Sequence, residues 1–173
     1  MATGTIAYVA VSLDGYIAAE DGSVGFLDAY GDADFGFKEF FDSIGGVVMG
    51  STTYEQVLGW GWPYGDTPGL ILTTRDLDVA DGADLTFSDD DTGDAIRAFA
   101  ATTAKRLWIV GGGRVIIDGM NSGAIDSLEL YVMPDILGAG VPLFPEAFHG
   151  TLTLTDSHAF ANGVVRLRYD CSV

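Results

Sequence analysis

The stretch Arg106–Ile117, RLWIVGGGRVII, is the most informative part of this chain. A short apolar run ends in three glycines, and an apolar segment of helical character follows at once. Glycine lets the backbone take a positive φ or lie directly against a ligand. A helix N-terminus presents unpaired N–H groups and a partial positive charge. The stretch therefore predicts a strand, a glycine turn and a helix, and the turn is either a phosphate cradle or a tight bend without a ligand.

Length and composition predict one folded domain that spans residues 1–173. A hydrophobic content of 48% argues against disorder. No apolar run approaches the roughly 20 residues needed to span a bilayer, and no basic N-terminal region precedes a cleavable apolar segment. Cys171, the only cysteine, can form no internal disulfide, which suits a reducing compartment. We therefore expect a cytoplasmic protein.

The charge is strongly acidic, with a net value of −17 and only two lysines, Lys38 and Lys105. Such self-repulsion destabilises a compact state at low salt and keeps it soluble at high salt, which is a halophilic trait. An acidic binding patch is the alternative, but the acids are scattered along the whole chain. The same charge argues against nucleic acid and anionic membranes as partners, because both require a basic surface.

Strand-like and helix-like segments alternate up to about residue 121. The predicted strands of this part are Gly4–Ser12, Gly46–Met49, Leu70–Thr74, a short segment within Asp81–Ser88, and Leu107–Val110. The predicted helices are Ala33–Ser43, Ser51–Leu58, a segment from Asp91 or Thr92 to Thr103, and one from the glycine turn to Asn121. Ser51, Thr52 and Thr53 are candidate caps of the second helix.

The remainder of the chain predicts strands alone. They are Leu128–Met133, Thr151–Phe160 and Val164–Tyr169, with an Asn162-Gly163 turn between the last two. Together the two parts predict a three-layer α/β domain with helices on both faces. Its central sheet is mostly parallel and ends in a C-terminal antiparallel hairpin.

Three candidate phosphate-contacting turns follow three separate predicted strands. They are Gly50–Glu55, Thr73–Arg75 and Gly111–Arg114. In an open parallel sheet, ligands bind beyond the carboxyl ends of the strands, where all three turns are expected. Arg75 is a natural partner for a ribose 2′-phosphate. No G-x-G-x-x-G follows the first strand and no Gly-Lys-Ser/Thr follows the glycines, which argues against Rossmann and Walker sites.

Short stretches along the chain also occur in a particular order. They are Ser12–Ala18 (SLDGYIA), Val48–Glu55 (VMGSTTYE), Leu72–Arg75 (LTTR), Trp108–Gly113 (WIVGGG) and Ile136–Gly140 (ILGAG) with Pro142–Phe144 (PLF). The ordered set resembles the dihydrofolate reductase-like superfamily. The resemblance is closest to the stand-alone relatives of the reductase domain in riboflavin-biosynthesis deaminase–reductases.

This resemblance implies an NADPH site. Gly50, Ser51, Thr52 and Thr53 would cap the diphosphate region, and Thr73, Thr74 and Arg75 would surround the 2′-phosphate. Gly111, Gly112, Gly113, Arg114 and Val115 would pass under the diphosphate and the nicotinamide, with the Gly111–Gly112 bond cis. Ile17 would cover the nicotinamide. The family usually has Arg where this chain has Ser51, so the preference for NADPH over NADH depends on Arg75.

The substrate side offers fewer indications. Ungapped alignment back from the Met49-Gly50 turn places Asp34 where dihydrofolate reductases hold a buried carboxylate, which would assist protonation; an exposed helix-start Asp is the alternative. Asp14 either faces substrate or is a turn residue. Trp60, Trp62 and Tyr64 either line a ring-binding slot or cover the core. His149 and His158 lie outside the motifs, and the sequence shows no metal-ligand cluster.

The expected function is therefore an NADPH-dependent reductase of a small heterocyclic substrate. By resemblance, the reaction is the riboflavin-pathway reduction of 5-amino-6-(5-phosphoribosylamino)uracil. Dihydrofolate is a second substrate candidate, and a catalytically silent nucleotide-binding dimer module is a third reading. Stand-alone relatives are often homodimers, and the apolar loop and hairpin after Pro134 offer a pairing surface, so we expect a homodimer.

Overall fold

A computed structural model describes residues 3–145, 148 and 150–172, and it confirms the predicted α/β order. Its first half contains β1 (Thr5–Ser12), β2 (Tyr16–Ala18), α1 (Phe37–Asp42), β3 (Ile44–Gly50), α2 (Ser51–Trp60), β4 (Gly69–Leu72) and β5 (Leu85–Ser88). Its second half contains α3 (Thr92–Ala100), β6 (Arg106–Gly111), α4 (Gly113–Asn121), β7 (Ser127–Met133), β8 (Val141–Pro142), β9 (Thr153–Ala159) and β10 (Val165–Asp170). A 3-10 helix covers Gly25–Tyr30.

The central sheet has eight strands in the order β5-β4-β3-β6-β1-β7-β10-β9. Strands from β5 to β7 run parallel to one another. The last two, β10 and β9, are antiparallel to their neighbours. The predicted mostly parallel sheet with a C-terminal antiparallel hairpin is therefore confirmed.

Two hydrophobic clusters cover opposite faces of this sheet, because neighbouring residues of a strand point to opposite sides. On β6, Trp108 belongs to one cluster and Ile109 to the other. The Trp108 cluster includes α2 through the buried Tyr54 and Val57. The Ile109 cluster includes α3 and α4 through residues such as Ile96 and Ile116. Helices thus pack on both faces, as the three-layer prediction requires.

Two helix starts differ from the sequence prediction. The helix predicted for Ala33–Ser43 begins at Phe37, after the N-cap Gly36. The N-cap of α2 is Gly50, and no side chain makes a capping hydrogen bond there, so Ser51, Thr52 and Thr53 form the first helical turn instead. Asp91, by contrast, caps α3 as predicted, with its side chain accepting from the N–H groups of Gly93 and Asp94 at 3.0 and 3.2 Å. Within the described residues, no helix is long and apolar enough to cross a bilayer.

The start of α4 lies directly under the loop that contains β8. A Cβ at Gly113 would collide with the backbone carbonyl oxygen of Leu143 and would lie 2.9 Å from that of Pro142. Neither oxygen can rotate away as a flexible side chain would. Glycine at this position therefore fixes how closely the loop approaches α4.

The substitution Gly113→Ala is expected to lower the free energy of unfolding by about 1–3 kcal/mol, the usual cost of overpacking. Urea denaturation followed by circular dichroism measures the change. Gly59→Ala is the matched control, because Gly59 lies exposed in α2 with no atom within 4 Å of an added Cβ. Equal stability of Gly113→Ala and the wild type would contradict the close approach.

Candidate active site

A cavity of about 810 Å³ opens where the parallel strands end. Its walls come from the turns after β3, β4, β5 and β6 and from parts of β1, β2 and α2. All but one of the cofactor-binding residues expected from the sequence line this cavity: Ile17, Gly50, Ser51, Thr52, Thr53, Thr73, Thr74, Gly111, Gly112, Gly113, Arg114 and Val115. The exception is Arg75. The carboxyl edge of the sheet thus brings the three predicted turns together.

The turn between β3 and α2 offers an open helix N-terminus. Gly50, the N-cap, has extended backbone and no side chain to cap the helix. Ser51, Thr52 and Thr53 line the cavity. Unpaired N–H groups at a helix start favour an anion, and these hydroxyls add further donors.

The glycine turn between β6 and α4 lies beside this helix start. The Gly111–Gly112 peptide bond is cis, as predicted, and Gly111 has a φ of +139°. A Cβ at Gly111 or Gly112 would lie 3.8 or 3.7 Å from the Thr53 hydroxyl oxygen. The absence of side chains at these two positions leaves backbone facing the cavity between two helix N-termini.

Arg75 lies beside the cavity and is paired with a carboxylate that the sequence analysis did not consider. Its guanidinium donates to both oxygens of Glu55 on α2, at 3.3 and 2.7 Å. The side chains of the pair are 51% and 47% exposed. An exposed ion pair contributes only about 0–1 kcal/mol to the free energy of unfolding. Glu55 therefore pairs with Arg75 without locking its side chain in place.

The turn after β5 is a fourth wall element, which the sequence analysis missed. Ser88, Asp89, Asp90 and Thr92 line the cavity there. The Ser88 hydroxyl donates to the Asp90 carboxylate at 3.0 Å. The sequence does show a polar turn after this short strand. The turn contains neither glycine nor a basic residue, so it does not predict a phosphate-binding turn like the other three.

Aromatic side chains form another part of the cavity wall. Trp60 and Tyr64 line it, as the ring-slot prediction requires, whereas Trp62 packs against Tyr54 and Tyr64 outside the lining. Tyr8 and Trp108 also line the cavity, and the sequence analysis missed both. Tyr8 and Tyr64 each make an edge contact with the Trp108 ring, with centroids 6.0 and 5.6 Å apart.

Tyr8 connects the cavity with a buried ionic group. Its ring packs 5.0 Å from that of Tyr131, whose hydroxyl donates to the Glu129 carboxylate at 2.9 Å. Arg168 donates to both oxygens of Glu129, at 2.7 and 3.3 Å. Burial raises the pKa of Tyr8, and the neighbouring Tyr131 and Glu129 raise it further. The Tyr8 phenol therefore stays neutral across the physiological range.

The two predicted catalytic carboxylates lie apart from the cavity lining. Asp34 is exposed, and its carboxylate accepts from the Gly36 N–H at 2.8 Å, so the structure does not place a buried carboxylate there. Asp14 is exposed and accepts from the Leu137 and Gly138 N–H groups, at 3.1 and 2.7 Å. The structure therefore favours the turn alternative for Asp14. Asp34 is exposed, as its alternative expected, but it lies in a loop before Gly36, the N-cap of α1, and not at the start of the helix.

Among the described residues, no histidine lines the cavity. His158 is exposed on β9 and contacts the Phe160 ring, whereas His149 lies outside the described residues. No cluster of three or more His, Cys, Asp or Glu side chains suited to a metal ion occurs within the described ranges.

The sheet order and this cavity define a dihydrofolate reductase-like domain. A dihydrofolate reductase from Enterococcus faecalis, solved with NADP(H), aligns with a TM-score of 0.67 at 20% identity, over 96% of this chain and 95% of that one. A Thermotoga maritima diaminohydroxyphosphoribosylaminopyrimidine deaminase/5-amino-6-(5-phosphoribosylamino)uracil reductase aligns with a TM-score of 0.75 at 15% identity, over 97% of this chain and 56% of that one. At these identities the likeness shows the fold.

The chain belongs to the RibD C-terminal domain family, whose model matches residues 5–166. A Shewanella sp. PV-4 protein assigned to riboflavin biosynthesis is 28% identical with a TM-score of 0.82, over 96% of this chain and 98% of that one. The uncharacterized protein YwjB of Bacillus subtilis (strain 168) is 36% identical over 168 residues, which cover 92% of this chain and 94% of that protein. The domain is therefore of the riboflavin-pathway reductase type.

Asp14 has a structural role that hydrogen exchange can test. The Ser12 hydroxyl and the Gly138 and Leu137 N–H groups lower the pKa of Asp14 below its ordinary 3.8. A lowered folded-state pKa means that the carboxylate stabilises the fold above that ordinary value and loses this effect as the pH falls through the folded-state pKa. Asp14→Ala is expected to speed exchange at the Leu137 and Gly138 amides several-fold at neutral pH, as measured by NMR.

Asp21→Ala is the matched control, because this exposed carboxylate accepts from the nearby Ser23, with 2.9 Å to its N–H group. It should leave both amides unchanged. Unaltered exchange in Asp14→Ala would show that the carboxylate does not hold the loop.

Proposed function

We propose that the protein is an NADPH-dependent reductase of a small heterocyclic substrate. The observation that carries this proposal is the cavity itself, in which two helix N-termini, a glycine turn and a group of aromatic rings face one space. Bound NADPH would supply the hydride, and the chain would supply position and electrostatics.

The residues present fit a dinucleotide. The helix starts at Gly50 and Gly112 both lack a side-chain cap, so their backbone donors suit a diphosphate. Gly50 to Thr53 would hold that group, and Gly111 to Val115 would pass beneath it. Thr73, Thr74 and Arg75 would bind the 2′-phosphate, and Ile17 would cover the nicotinamide.

The cavity lining favours a substrate other than dihydrofolate. Among the described residues, its acidic side chains are Asp89, Asp90 and Asp118, which belong to the turn after β5 and to α4. None of these comes from β1 or α2, where the aromatic residues Tyr8 and Trp60 lie. The carboxylate that would assist protonation of dihydrofolate therefore has no counterpart at Asp34. A C=N or C=O of another small heterocycle is the substrate class that we propose.

Replacement of Arg75 tests the cofactor assignment. Arg75→Ala is expected to weaken NADPH binding about five- to tenfold, the effect of losing one charged hydrogen bond in salt, and to leave NADH binding unchanged. Glu55→Gln is expected to strengthen NADPH binding about two- to fivefold, because the exposed pair no longer competes. Fluorescence titration with both nucleotides in molar KCl measures these affinities.

Arg97→Ala is the control, because this arginine pairs with Asp94 on the exposed side of α3. An unchanged NADPH-to-NADH ratio in Arg75→Ala would remove Arg75 from the 2′-phosphate site. A wild-type protein that binds neither nucleotide would contradict the reductase proposal, and one that binds NADPH without hydride transfer to any heterocycle would favour the silent module.

We also propose that the protein is a homodimer adapted to high salt. The side chains of β9 are exposed along its whole length, and Leu154 and Ile136 expose apolar side chains, at 51% and 72%. An exposed edge strand is a ready template for pairing.

Leu154→Asp is expected to shift the sedimentation coefficient to that of a monomer in molar KCl. Val79→Asp, at another exposed apolar position, should not, and a monomeric wild type would contradict the proposal.

A further inference from the structure

The aromatic part of the cavity carries no formal charge. Its rings are Tyr8, Trp60, Tyr64 and Trp108, and the apolar side chains of Val24 and Leu27 also line the cavity. Burial raises the pKa of Tyr64 to about 12 and raises that of Tyr8 as well, so both phenols stay neutral. Within the described chain, Arg114 is the one basic residue of the lining, and it belongs to the glycine turn.

The basic side chains near the turns after β4 and β6 already have acidic partners. Arg75 pairs with Glu55, and Arg114 pairs with Asp118 with 3.1 Å between Nε and Oδ2. The chain as a whole carries a net charge of −17. A substrate phosphate usually requires an arginine fork or a lysine, because an anion loses hydration energy on entering an apolar cavity. The described aromatic part provides no such group.

Trp60 provides a free ring face at the cavity. It lies at the end of α2, lines the cavity and is 68% exposed. In the part of the chain that the structure describes, its ring contacts no other aromatic ring, whereas Tyr8 and Tyr64 each contact Trp108. A large exposed apolar ring at a binding cavity is suited to stacking on a flat ligand.

We infer, on the basis of the proposed reductase function, that the hydride acceptor is a planar, uncharged ring compound without a phosphate, stacked on Trp60. Bound NADPH would supply the hydride for the carbon of a ring C=N or C=O and would leave as NADP⁺. Water would supply the proton for the nitrogen or oxygen that gains the electron pair, so the reduction would need no further reductant.

Two pterins that differ in one charge test the absence of a basic group. Pterin is neutral at pH 7, and pterin-6-carboxylate carries the same ring with an added carboxylate. With saturating NADP⁺ in molar KCl, pterin is expected to bind at least tenfold more tightly than pterin-6-carboxylate, as measured by the fluorescence anisotropy of each compound. The Debye length of about 3 Å in this salt removes the long-range effect of the acidic surface, so the difference reports on the cavity.

Variants separate stacking from charge. Trp60→Ala is expected to weaken pterin binding about three- to tenfold, and Trp60→Phe less than about twofold, because an aromatic ring pair contributes roughly 0.5–1.5 kcal/mol. Val24→Lys adds a cation to the aromatic part of the cavity. It is expected to reduce the preference for pterin over pterin-6-carboxylate at least threefold. Val79→Ala, at an exposed position outside the cavity lining, is the control and should change neither affinity.

The outcomes distinguish this inference from the proposed function. If NADP⁺ does not bind, the proposed function fails. If NADP⁺ binds but pterin does not, or if pterin-6-carboxylate binds as tightly as pterin, the inference is overturned and the cofactor assignment stands. Unchanged pterin binding in Trp60→Ala, with NADP⁺ affinity and thermal midpoint also unchanged, would overturn the stacking role.

Discussion

The parallel direction of neighbouring strands is the constraint on which the candidate site depends. Because β5, β4, β3 and β6 run in one direction, the turns that follow them end at one edge of the sheet. Residues far apart in the chain thereby form one wall, from Ser88 through Thr73 and Gly50 to Gly111. Gly113 completes that wall, since the absence of a side chain there allows the Leu143 carbonyl to lie close to the backbone.

The sequence predicts the parts of this wall that carry a local signal. An apolar run followed by glycine, serine or threonine marks the turns after β3, β4 and β6, and the sheet then brings them together. Tyr8 and Trp108 carry no such signal, because a ring within an apolar strand is equally consistent with a core residue. Only the position of β1 and β6 at the cavity shows that these two rings reach it.

Contacts between residues far apart in the chain account for the remaining features of the site that the sequence does not predict. The Arg75–Glu55 pair joins a turn to a helix face, and no local pattern predicts it. The ungapped alignment that assigns a catalytic role to Asp34 assumes that the helix before β3 extends back through this residue. Gly36, with a φ of +75° in the left-handed region, precedes the first turn of α1 and ends that continuity. Asp34 therefore lies in an exposed loop, although the helix itself was predicted.

The cavity divides its chemistry between two regions with different electrostatics. Near the glycine turn and the turn after β4, arginines pair with carboxylates, so under the proposed function a nucleotide would meet backbone dipoles together with these arginines. Around Tyr8 and Trp108 the rings pack against one another, and the buried charge of Glu129 is neutralised by Arg168. An unpaired charge in that region would have no partner, so selectivity there follows from shape and neutrality. Under the proposed function, the turns at the edge of the sheet would therefore specify the nucleotide, whereas the side chains of β1 and α2 would specify the compound that receives the hydride.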